Sequence, residues 1–410
     1  MNERIVIVGA GHGGFQLAAS LRQSGYAGAV ILVGDEPGLP YQRPPLSKAY
    51  LLDKLPLSEL FFRPEDFFSE SGIQRVTATA IDIDRKKRRV LLDHGEAVEY
   101  DRLVLATGAR RRRLPVEGAD VDGVHGLATL ADADKLKSAL RVGCQSAIII
   151  GAGFIGLEFA SVANLLGLEV TVVDAASRAM ARAVSPAVSA FFEAHHSRQG
   201  MKFRLGEGVA SIIGSGGRAK GVETSSGQLL SADIIVTGIG VVPNDRLARA
   251  AGLEVENGII VDAQLTTSDP NIFAIGDCCN FLLGSSGTRC RLESVQNATD
   301  QARLLAARFA KDQFALYDAV PWFWSDQGSL KLQIAGVSAE CDEFVQVQDV
   351  KGLSVLCFRH GVLAAVESIN RPADHMAARR LLASTGRRPT PIEAGLKDFD
   401  LKRFTIEAAA

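Results

Sequence analysis

Apolar residues along the chain are grouped in short runs rich in valine and isoleucine, and the stretches between these runs have helical spacing. Early runs are RIVIV at residues 4–8 and VILV at 30–33, and later ones are AIII at 147–150 and VTVV at 170–173. Continuous apolar runs of this length are typical of strands buried in a parallel sheet. Strands that alternate with helices predict an α/β protein.

A glycine-rich turn follows the first apolar run. Gly9, Gly11 and Gly14 form the pattern GxGxxG, Gly13 adds a further glycine, and the second strand leads to Asp35. In such a unit the glycines allow a tight turn and a close approach of pyrophosphate, while the acid meets a ribose hydroxyl. The complete order of strand, glycines, helix, strand and acid predicts a dinucleotide site.

The same pattern occurs a second time. Gly151, Gly153 and Gly156 follow the run at 147–150, and Asp174 ends the next strand. Two units indicate two dinucleotides, or one molecule bound across two halves. A separation of 142 residues, from Gly9 to Gly151, suits separate domains, and we expect one to bind FAD and the other NAD(P)H.

The acid of the second unit indicates which nicotinamide cofactor is used. Asp174 would accept hydrogen bonds from ribose hydroxyls and repel a 2′-phosphate. Arg178 and Arg182 lie nearby in the sequence. They either soften that repulsion, bind pyrophosphate or lie on the surface. We expect NADH.

Other strands end in glycine or acidic motifs. YDRLVLATGAR (100–110) resembles the segment by which two-dinucleotide flavoproteins leave the FAD domain, and SADIIVTGIGVVPN (231–244) resembles the segment that returns to it. NIFAIGD ends at Asp277, where a carboxylate can hold a ribityl hydroxyl while a following helix faces the phosphates. The alternative role for Asp277 is a helix cap.

From about residue 321 the pattern changes to alternating strands with short turns and then a helix, which predicts a small α+β domain. The arginines at 110–113 are either a solvated loop or a contact for an anionic partner. The predicted segments are an FAD-binding domain at 1–110 and 243–320, an NAD(H)-binding domain at 111–242 and a C-terminal domain at 321–410.

Composition narrows the classes of function. The net charge of −2 gives no reason to expect a nucleic-acid ligand, and the six cysteines have no metal-ligand spacing. We expect reduced thiols and no metal site. The first residues lack a secretory pattern and no apolar run could span a bilayer, so we expect a cytoplasmic protein.

The stretch LPYQRPPLSKAY (39–50) excludes one chemistry. Enzymes that reduce disulfides through a flavin need a redox-active cysteine pair about 30 to 40 residues after the first glycine loop, and this segment contains no cysteine. Single-cysteine peroxidase and NADH oxidase chemistry is excluded for the same reason. We expect Ser47 to cap a helix that begins at Lys48.

Taken in order, the motifs GAGHGG, PPLSK, LVLATGAR, GAGFIGLE, GIGVVPN, IGDC, ESVQNATDQA and PWFWSDQG run along the whole chain. The chain resembles the bacterial ferredoxin reductases of the two-dinucleotide flavoprotein superfamily. That group includes putidaredoxin reductase-like enzymes, reductase components of ring-hydroxylating dioxygenases, and rubredoxin reductases. PPLSK together with WSDQ is specific to it.

The resemblance implies a glutathione-reductase-like fold, with NADH passing a hydride to FAD. Electrons then pass singly to a 2Fe–2S ferredoxin that serves a cytochrome P-450-type monooxygenase or a ring-hydroxylating dioxygenase. A monomer is expected. The alternatives are a rubredoxin reductase and a slow, redox-sensing flavoprotein similar to apoptosis-inducing factor.

The resemblance also assigns roles to residues. It places Arg43 near the FAD phosphates, Lys48 near the isoalloxazine, and Trp324 beside the flavin on the side of the electron acceptor. Further FAD positions are Gly9, Gly11, Gly13, Gly14, Asp35, Ala78, Thr107, Gly108, Arg110, Asp277 and Val295. Positions for the nicotinamide cofactor are Gly151, Gly153, Ile155, Gly156, Glu158, Asp174 and Gly238.

One position departs from the family pattern. The family commonly has an FAD-contacting arginine where this chain has Ala128. Either a neighbouring arginine such as Arg110 compensates, or FAD binds less tightly.

A Lys48–Glu158 pair is the leading hypothesis for tuning the flavin, because an ammonium near the ring would stabilise the negative charge of its reduced form. The alternative is that both are surface charges. For an acidic ferredoxin we expect basic docking residues; the candidates are Lys331, Arg359, Arg371 and the arginines at 110–113.

Overall fold

The chain folds into two units, each organised around a five-stranded parallel sheet. The computed structural model describes residues 3–284, 289–350 and 352–407. The first unit comprises Met1–Gln42, Leu57–Arg110 and Val241–Ala319, and the second comprises Arg43–Pro56, Arg111–Gly240 and Val320–Ala410. The α/β class predicted from the alternating apolar runs is confirmed.

The central sheet of the first unit has the first apolar run, Ile5–Val8, in its middle. Its strand order is Ile272–Ala274, Arg102–Leu105, Ile5–Val8, Val30–Gly34 and Ile73–Thr77, all parallel. Ile5, Val6 and Ile7 have no exposed surface. Burial on both faces explains why the sequence of this strand is apolar at every position.

Smaller elements complete the first unit. Its helices are His12–Gln23, Leu57–Leu60, Glu65–Glu70, Arg246–Ala250 and Val295–Lys311, with a 3₁₀ turn at Gly276–Cys278. Its other strands are Ala80–Asp84, Arg89–Leu92, Ala97–Glu99, Val241–Pro243, Ile259–Ile260, Cys279–Leu282 and Arg289–Cys290, and Ala109–Arg111 lies where the chain leaves the unit.

The second unit contains the other parallel sheet. Its strand order is Lys202–Leu205, Glu169–Asp174, Ser146–Ile150, Ile234–Thr237 and Val124–Gly126. Three antiparallel strands lie beside it, at Val209–Ser215, Arg218–Thr224 and Leu229–Ser231. The helices of this part are Leu130–Arg141, Phe154–Leu165 and Pro186–Arg198.

An antiparallel sheet from the end of the chain belongs to the second unit. Its strand order is Trp322–Gln327, Leu330–Gly336, Val362–Ile369, Leu353–Arg359 and Glu343–Gln348. Helices follow at Pro372–Ala383, Pro391–Ala394 and Leu401–Glu407. Ala377, Ala378 and Leu381 of the first of these helices pack into the core of this sheet.

The segment Arg43–Pro56 groups with the second unit, although both flanking stretches belong to the first. Pro44–Ser47 is a 3₁₀ helix, and Lys48 is its C-cap. The expectation that Ser47 caps a helix starting at Lys48 is therefore wrong. The two prolines fix the backbone of this turn themselves, and residues 48–50 continue as a turn.

Within the described residues, no helix combines the length and apolar character needed to cross a membrane.

Candidate functional site

The first glycine loop joins Ile5–Val8 to the helix His12–Gln23. A Cβ at Gly14 would lie 1.8 Å from the Gly9 carbonyl oxygen, and a Cβ at Gly9 would lie 2.1 Å from the Ala106 carbonyl oxygen. These two glycines are therefore required by the fold itself, since no side chain fits there.

Gly11 is different, because a Cβ there would meet no atom within 4 Å. It is the N-cap of the helix and provides no side-chain hydrogen bond to it. The first amides of this helix are left without a side-chain cap beside open space, which is the arrangement that binds pyrophosphate. The first unit therefore fits the diphosphate of FAD. Gly13 lies two residues further along, against Ile275.

Asp35 is exposed and follows the strand Val30–Gly34 directly. Gly34 occupies the last register position of that strand, and a Cβ there would lie 2.8 Å from the Ala10 Cβ. Ala78 is buried and donates its amide to the Gly34 carbonyl at 2.8 Å. Asp35 and Ala78 thus lie at the same end of the sheet as the glycine loop.

Thr107 and Gly108 lie where the chain leaves the first unit. The Thr107 hydroxyl donates to the Asn244 carbonyl at 2.7 Å, and the Asn244 side chain donates to the Thr107 carbonyl at 2.8 Å. Gly108 has a φ of 63°, in the region that favours glycine. Arg110 donates to Pro243 and Asn244. These three residues hold the outgoing and returning strands together.

Asp277 lies in the 3₁₀ turn Gly276–Cys278. The chain continues as the strand Cys279–Leu282, and the next helix begins at Val295. Gln301, which has no exposed surface, accepts the Gly276 amide at 2.7 Å and the Cys279 thiol at 3.3 Å. Gln301 therefore holds the Gly276 backbone before Asp277 and the Cys279 side chain after it, a role that the motifs did not indicate.

Val295 is the first residue of the helix Val295–Lys311, and the Ser294 hydroxyl caps that helix by accepting the Asn297 amide at 3.1 Å. Val295 itself is only partly buried.

The second glycine loop repeats the first. A Cβ at Gly156 would lie 2.1 Å from the Gly151 carbonyl oxygen, and a Cβ at Gly238 would lie 3.1 Å from the Gly156 Cα. A Cβ at Gly153 would meet only the Gly238 carbonyl oxygen, at 3.7 Å. The second unit thus also leaves room at an uncapped helix N-terminus, here that of Phe154–Leu165. Ile155, beside it, is 45% exposed.

Asp174 ties the second strand to the glycine loop. Its two carboxylate oxygens accept the Ala152 amide at 2.6 Å and the Ala176 amide at 2.8 Å. Arg178 is engaged elsewhere, with hydrogen bonds to the Val184 and Ala181 carbonyls and the Ser189 hydroxyl. These bonds give Arg178 a structural role within the fold. Arg182 remains exposed.

Lys48 and Glu158 form an ion pair, with the Lys48 Nζ 2.8 Å from a Glu158 carboxylate oxygen. The Glu158 side chain is 3% exposed and that of Lys48 is 21% exposed. The alternative that both are surface charges is therefore excluded for Glu158. A buried carboxylate is retained in a fold only where donors compensate it.

Two hydroxyls supply further donors to Glu158. Ser47 donates at 2.5 Å to the oxygen that faces Lys48, and Ser325 donates at 2.7 Å to the other oxygen. Neither serine was predicted to contact Glu158. Their signal was present in the sequence motifs PPLSK and WSDQ, but the spacing between the motifs gives no indication that they meet.

The segment Arg43–Pro56 has further ties within the second unit. Arg43 donates to the Ala128 carbonyl at 2.6 Å, and the Tyr50 hydroxyl donates to Asp134 at 2.6 Å. Asp53 pairs with Lys137 and, at 3.0 Å, with Arg141. Burial and the Asp134 carboxylate raise the pKa of Tyr50 to about 12. Position 128 thus contributes its backbone to the arginine of this segment.

Trp324 lies in an aromatic group on the edge strand Trp322–Gln327. Its ring centre is 5.6 Å from that of Trp322, and the Arg379 guanidinium lies 4.6 Å from the Trp322 ring centre. His375, which is buried, contacts Trp322 edge-on at 5.9 Å. Burial lowers the pKa of His375 to about 4.

The candidate docking residues differ in their surroundings. Arg371 pairs with Asp374 at 2.6 Å and with Asp349 at 2.9 Å, and Arg359 pairs with Glu340 at 3.1 Å. Lys331 and the arginines at 110–113 are exposed. Lys331 and this run are therefore better placed than Arg371 to meet a partner.

All six cysteines are free thiols. Burial raises the pKa of Cys278 and Cys279 above that of an ordinary thiol, and thiols of this kind are unreactive.

Comparison with known families divides the chain into two matches. Residues 3–302 match the family of pyridine nucleotide-disulphide oxidoreductases, and residues 322–405 match the reductase C-terminal family. The second match covers the antiparallel sheet and the helices that follow it.

Individual relatives cover the whole chain. The chain is 50% identical to rhodocoxin reductase of Rhodococcus erythropolis over 404 residues, which is 97% of this chain and 93% of that protein. It superposes with a TM-score of 0.95 on the ferredoxin reductase for the CYP199A2 system from Rhodopseudomonas palustris, at 47% identity, covering 98% of this chain and 100% of that one.

A second similar structure is a covalent complex of putidaredoxin reductase with putidaredoxin. The chain matches its reductase with a TM-score of 0.95 and 36% identity, covering 100% of this chain and 99% of that one. The resemblance inferred from the motifs is confirmed by these matches.

Proposed function

The chain belongs to the pyridine nucleotide-disulphide oxidoreductase family, and we propose that within it the protein is a ferredoxin reductase that takes electrons from NADH to a 2Fe–2S ferredoxin. Its cofactors are FAD and NADH. The ferredoxin in turn serves a cytochrome P-450-type monooxygenase or a ring-hydroxylating dioxygenase. The protein acts in the cytoplasm as a monomer.

The observation that carries the proposal is the ion pair of Lys48 with Glu158. It stands on the segment where flavin-dependent disulfide reductases carry their cysteine pair, and this segment has none. Without a dithiol, electrons leave through an external acceptor.

FAD fits the first unit, where the open space at Gly11 receives the diphosphate and Asp35, Ala78 and Asp277 serve the adenosine and ribityl parts. When bound, FAD would supply the redox chemistry, since it can accept a hydride and give up electrons one at a time. Thr107, Gly108, Arg110 and Val295 complete its binding site in this unit.

NADH fits the second unit. Gly153 leaves space for the pyrophosphate, and Asp174 accepts from the ribose hydroxyls with its remaining lone pairs while holding the glycine loop. Ile155 contributes an apolar surface for the cofactor at the helix start. Gly151, Gly156 and Gly238 allow the close packing that keeps this loop in place.

Lys48 acts as a fixed positive charge. Its ammonium stabilises the negative charge that accompanies reduction, and Glu158 orients that ammonium. Glu158 has three donors, Lys48, Ser47 and Ser325, which hold its carboxylate in place.

Trp324 lies on the side from which the ferredoxin approaches. The exposed positive charges of Lys331 and the arginines at 110–113 attract an acidic ferredoxin and orient it.

Steady-state reduction of cytochrome c with NADH, with and without added ferredoxin, tests the proposal. We expect strong stimulation by a 2Fe–2S ferredoxin and slow turnover without it. Absence of stimulation by several ferredoxins would favour a redox-sensing flavoprotein, and stimulation by rubredoxin alone would favour a rubredoxin reductase.

A further inference from the structure

The strand Trp322–Gln327 has two unlike faces. Side chains alternate along a strand, so Phe323, Ser325 and Gln327 share one face and Trp322 and Trp324 share the other. Ser325 and Gln327 have no exposed surface, which is unusual for polar residues on an edge strand. This burial needs partners on a neighbouring element.

The partners are on the helix Phe154–Leu165. The Phe323 and Phe154 ring centres are 4.5 Å apart, and Ser325 donates to Glu158 at 2.7 Å. A Cβ at Gly328 would lie 3.0 Å from the Ser161 hydroxyl. Positions 154, 158 and 161 lie on one side of a helix, so the strand follows that side for two turns.

The same face of the sheet makes a second polar contact. The Gln327 side-chain oxygen lies 2.9 Å from the His196 Nε2, and its amide nitrogen donates to the Ser325 hydroxyl at 3.3 Å. His196 is fully buried, and burial lowers its pKa. The Ser325 hydroxyl is thus oriented from behind by Gln327 while it donates to Glu158.

Glu158 is held from two directions. Ser47 approaches one oxygen from the 3₁₀ helix Pro44–Ser47, and Ser325 approaches the other from the strand. With both oxygens engaged, the carboxylate has no freedom to rotate, and its oxygen nearest Lys48 stays fixed.

We infer that Ser325 is a positioning residue that holds the Glu158 carboxylate in the orientation that fixes Lys48. This inference rests on the proposed function, since it assigns to Ser325 a part in setting the charge that acts on the bound flavin. It also couples the strand that carries Trp324 to the residue pair that serves the NADH half-reaction.

The test uses the FAD-loaded full chain and two measurements. One is the rate of anaerobic flavin reduction by NADH in a stopped-flow instrument, and the other is the flavin midpoint potential from dye equilibration. We expect Ser325→Ala to slow reduction about tenfold, the effect of losing one hydrogen bond to a charged group, and to shift the midpoint potential.

A double-mutant cycle separates positioning from general damage. In the Glu158→Gln background, Ser325→Ala should change neither the reduction rate nor the potential further, because the carboxylate it orients is already absent. Equal losses in the wild-type and Glu158→Gln backgrounds would refute the inference.

Ser368→Ala is the matched control. Ser368 is a fully buried serine of the strand Val362–Ile369, and its hydroxyl has no hydrogen-bond partner among the described residues. Like Ser325→Ala, Ser368→Ala removes one buried serine hydroxyl from this sheet, but not one that contacts Glu158. Its reduction rate and midpoint potential should therefore match those of the wild type.

A second variant covers the case in which Ser325→Ala does not fold. Ser47→Ala removes the other hydroxyl from a different element, and it should slow reduction in the wild-type background but not in Glu158→Gln. If Ser325→Ala folds and behaves as wild type, the inference is wrong even though stimulation by ferredoxin persists. If added ferredoxin does not stimulate cytochrome c reduction by the wild-type protein, the proposed function is wrong, and with it the inference that rests on it.

Discussion

Lys48 and Glu158 are joined by a 2.8 Å ion pair in which the carboxylate is almost fully buried and the ammonium is not. This asymmetry matters because a charge that stays partly solvated costs little to keep, while its buried partner fixes where it stands. The pair therefore holds a positive charge at a fixed position, at a modest cost in stability.

Replacing Lys48 by methionine should remove that charge and preserve most of its apolar stem. We expect Lys48→Met to retain FAD, to be reduced by NADH at least about tenfold more slowly, and to have a shifted flavin potential. Stopped-flow reduction and potentiometry measure both. Lys220→Met, at an exposed lysine of Arg218–Thr224, controls for loss of a charge. A wild-type rate and potential in Lys48→Met would remove the tuning role.

The glycines of the first loop should separate into two classes. Gly14→Ala places a Cβ 1.8 Å from a backbone oxygen, so we expect it to destabilise the protein by about 3 kcal/mol or more. Gly11→Ala meets open space within the protein, so the apoprotein should keep its Tm while FAD affinity falls at least about tenfold. Calorimetry and fluorescence titration of the apoprotein measure these effects. Equal loss of Tm in both variants would contradict this assignment.

Gln301 should matter for FAD retention, although the motif ESVQNATDQA that contains it gave no indication of its contact with Gly276. Gln301→Met keeps the volume but leaves the buried Gly276 amide without its acceptor, at a cost of about 1–3 kcal/mol. Because Gly276 precedes Asp277, we expect faster release of FAD, visible as recovery of flavin fluorescence on dilution. Gln313→Met, at an exposed position, should release FAD at the wild-type rate. Unchanged retention in Gln301→Met would show that the turn does not need Gln301.

His375 should make the C-terminal domain sensitive to acid. Its folded pKa of about 4 lies below the ordinary value of 6.5, so between these values the unfolded chain binds a proton that the folded chain does not. Stability is therefore complete above about pH 6.5 and falls as the pH decreases to about 4, by about 2 to 3 kcal/mol. His196, whose pKa is also lowered, contributes with the same sign.

Both tryptophans of the chain lie in this sheet, so tryptophan fluorescence during urea unfolding at pH 7 and pH 5 reports on it. In His375→Phe, the free energy of unfolding should differ much less between pH 7 and pH 5 than in the wild type. In His94→Phe, on an exposed turn, the wild-type difference should remain. If His375→Phe keeps the full difference, His375 is not its source.

Electrostatic docking predicts a contrast between acceptors. Reduction of ferredoxin should slow steeply as salt rises, while reduction of ferricyanide should not. Lys331→Glu should lower the ferredoxin rate at low salt and flatten the salt dependence. Arg371→Gln should mainly lower stability, since Arg371 already pairs with Asp374 and Asp349. A salt response shared by both acceptors would point away from a charged docking surface.

Much of this arrangement was predictable because it depends on local rules. The glycine loops, the strands beside them and Asp174 follow from backbone sterics and apolar burial, which act over about 30 residues. The Lys48–Glu158 pair was reached through the family resemblance, since the two residues are far apart in the sequence.

What the sequence did not reveal depends on long-range placement. Ser325 and Gln301 act through hydrogen bonds to residues of other motifs, Glu158 and Gly276, and the sequence does not show which motifs meet. Ser47 was predicted to cap a helix because serine often does. The prolines instead begin a 3₁₀ helix that has Ser47 as its last residue, and the Ser47 hydroxyl donates to Glu158.

The grouping of Arg43–Pro56 with the second unit has a practical consequence for chimeric enzymes. Exchanging the nicotinamide-binding half of this reductase for that of a relative, by cutting at 111 and 240, would separate Lys48 and Asp53 from the residues that anchor them. In a hybrid that takes residues 43–56 from the same parent as the incoming half, Lys48 and Asp53 keep the partners with which they pair in that parent. Junctions for recombination are therefore better chosen by these contacts than by the linear boundaries of the two glycine motifs.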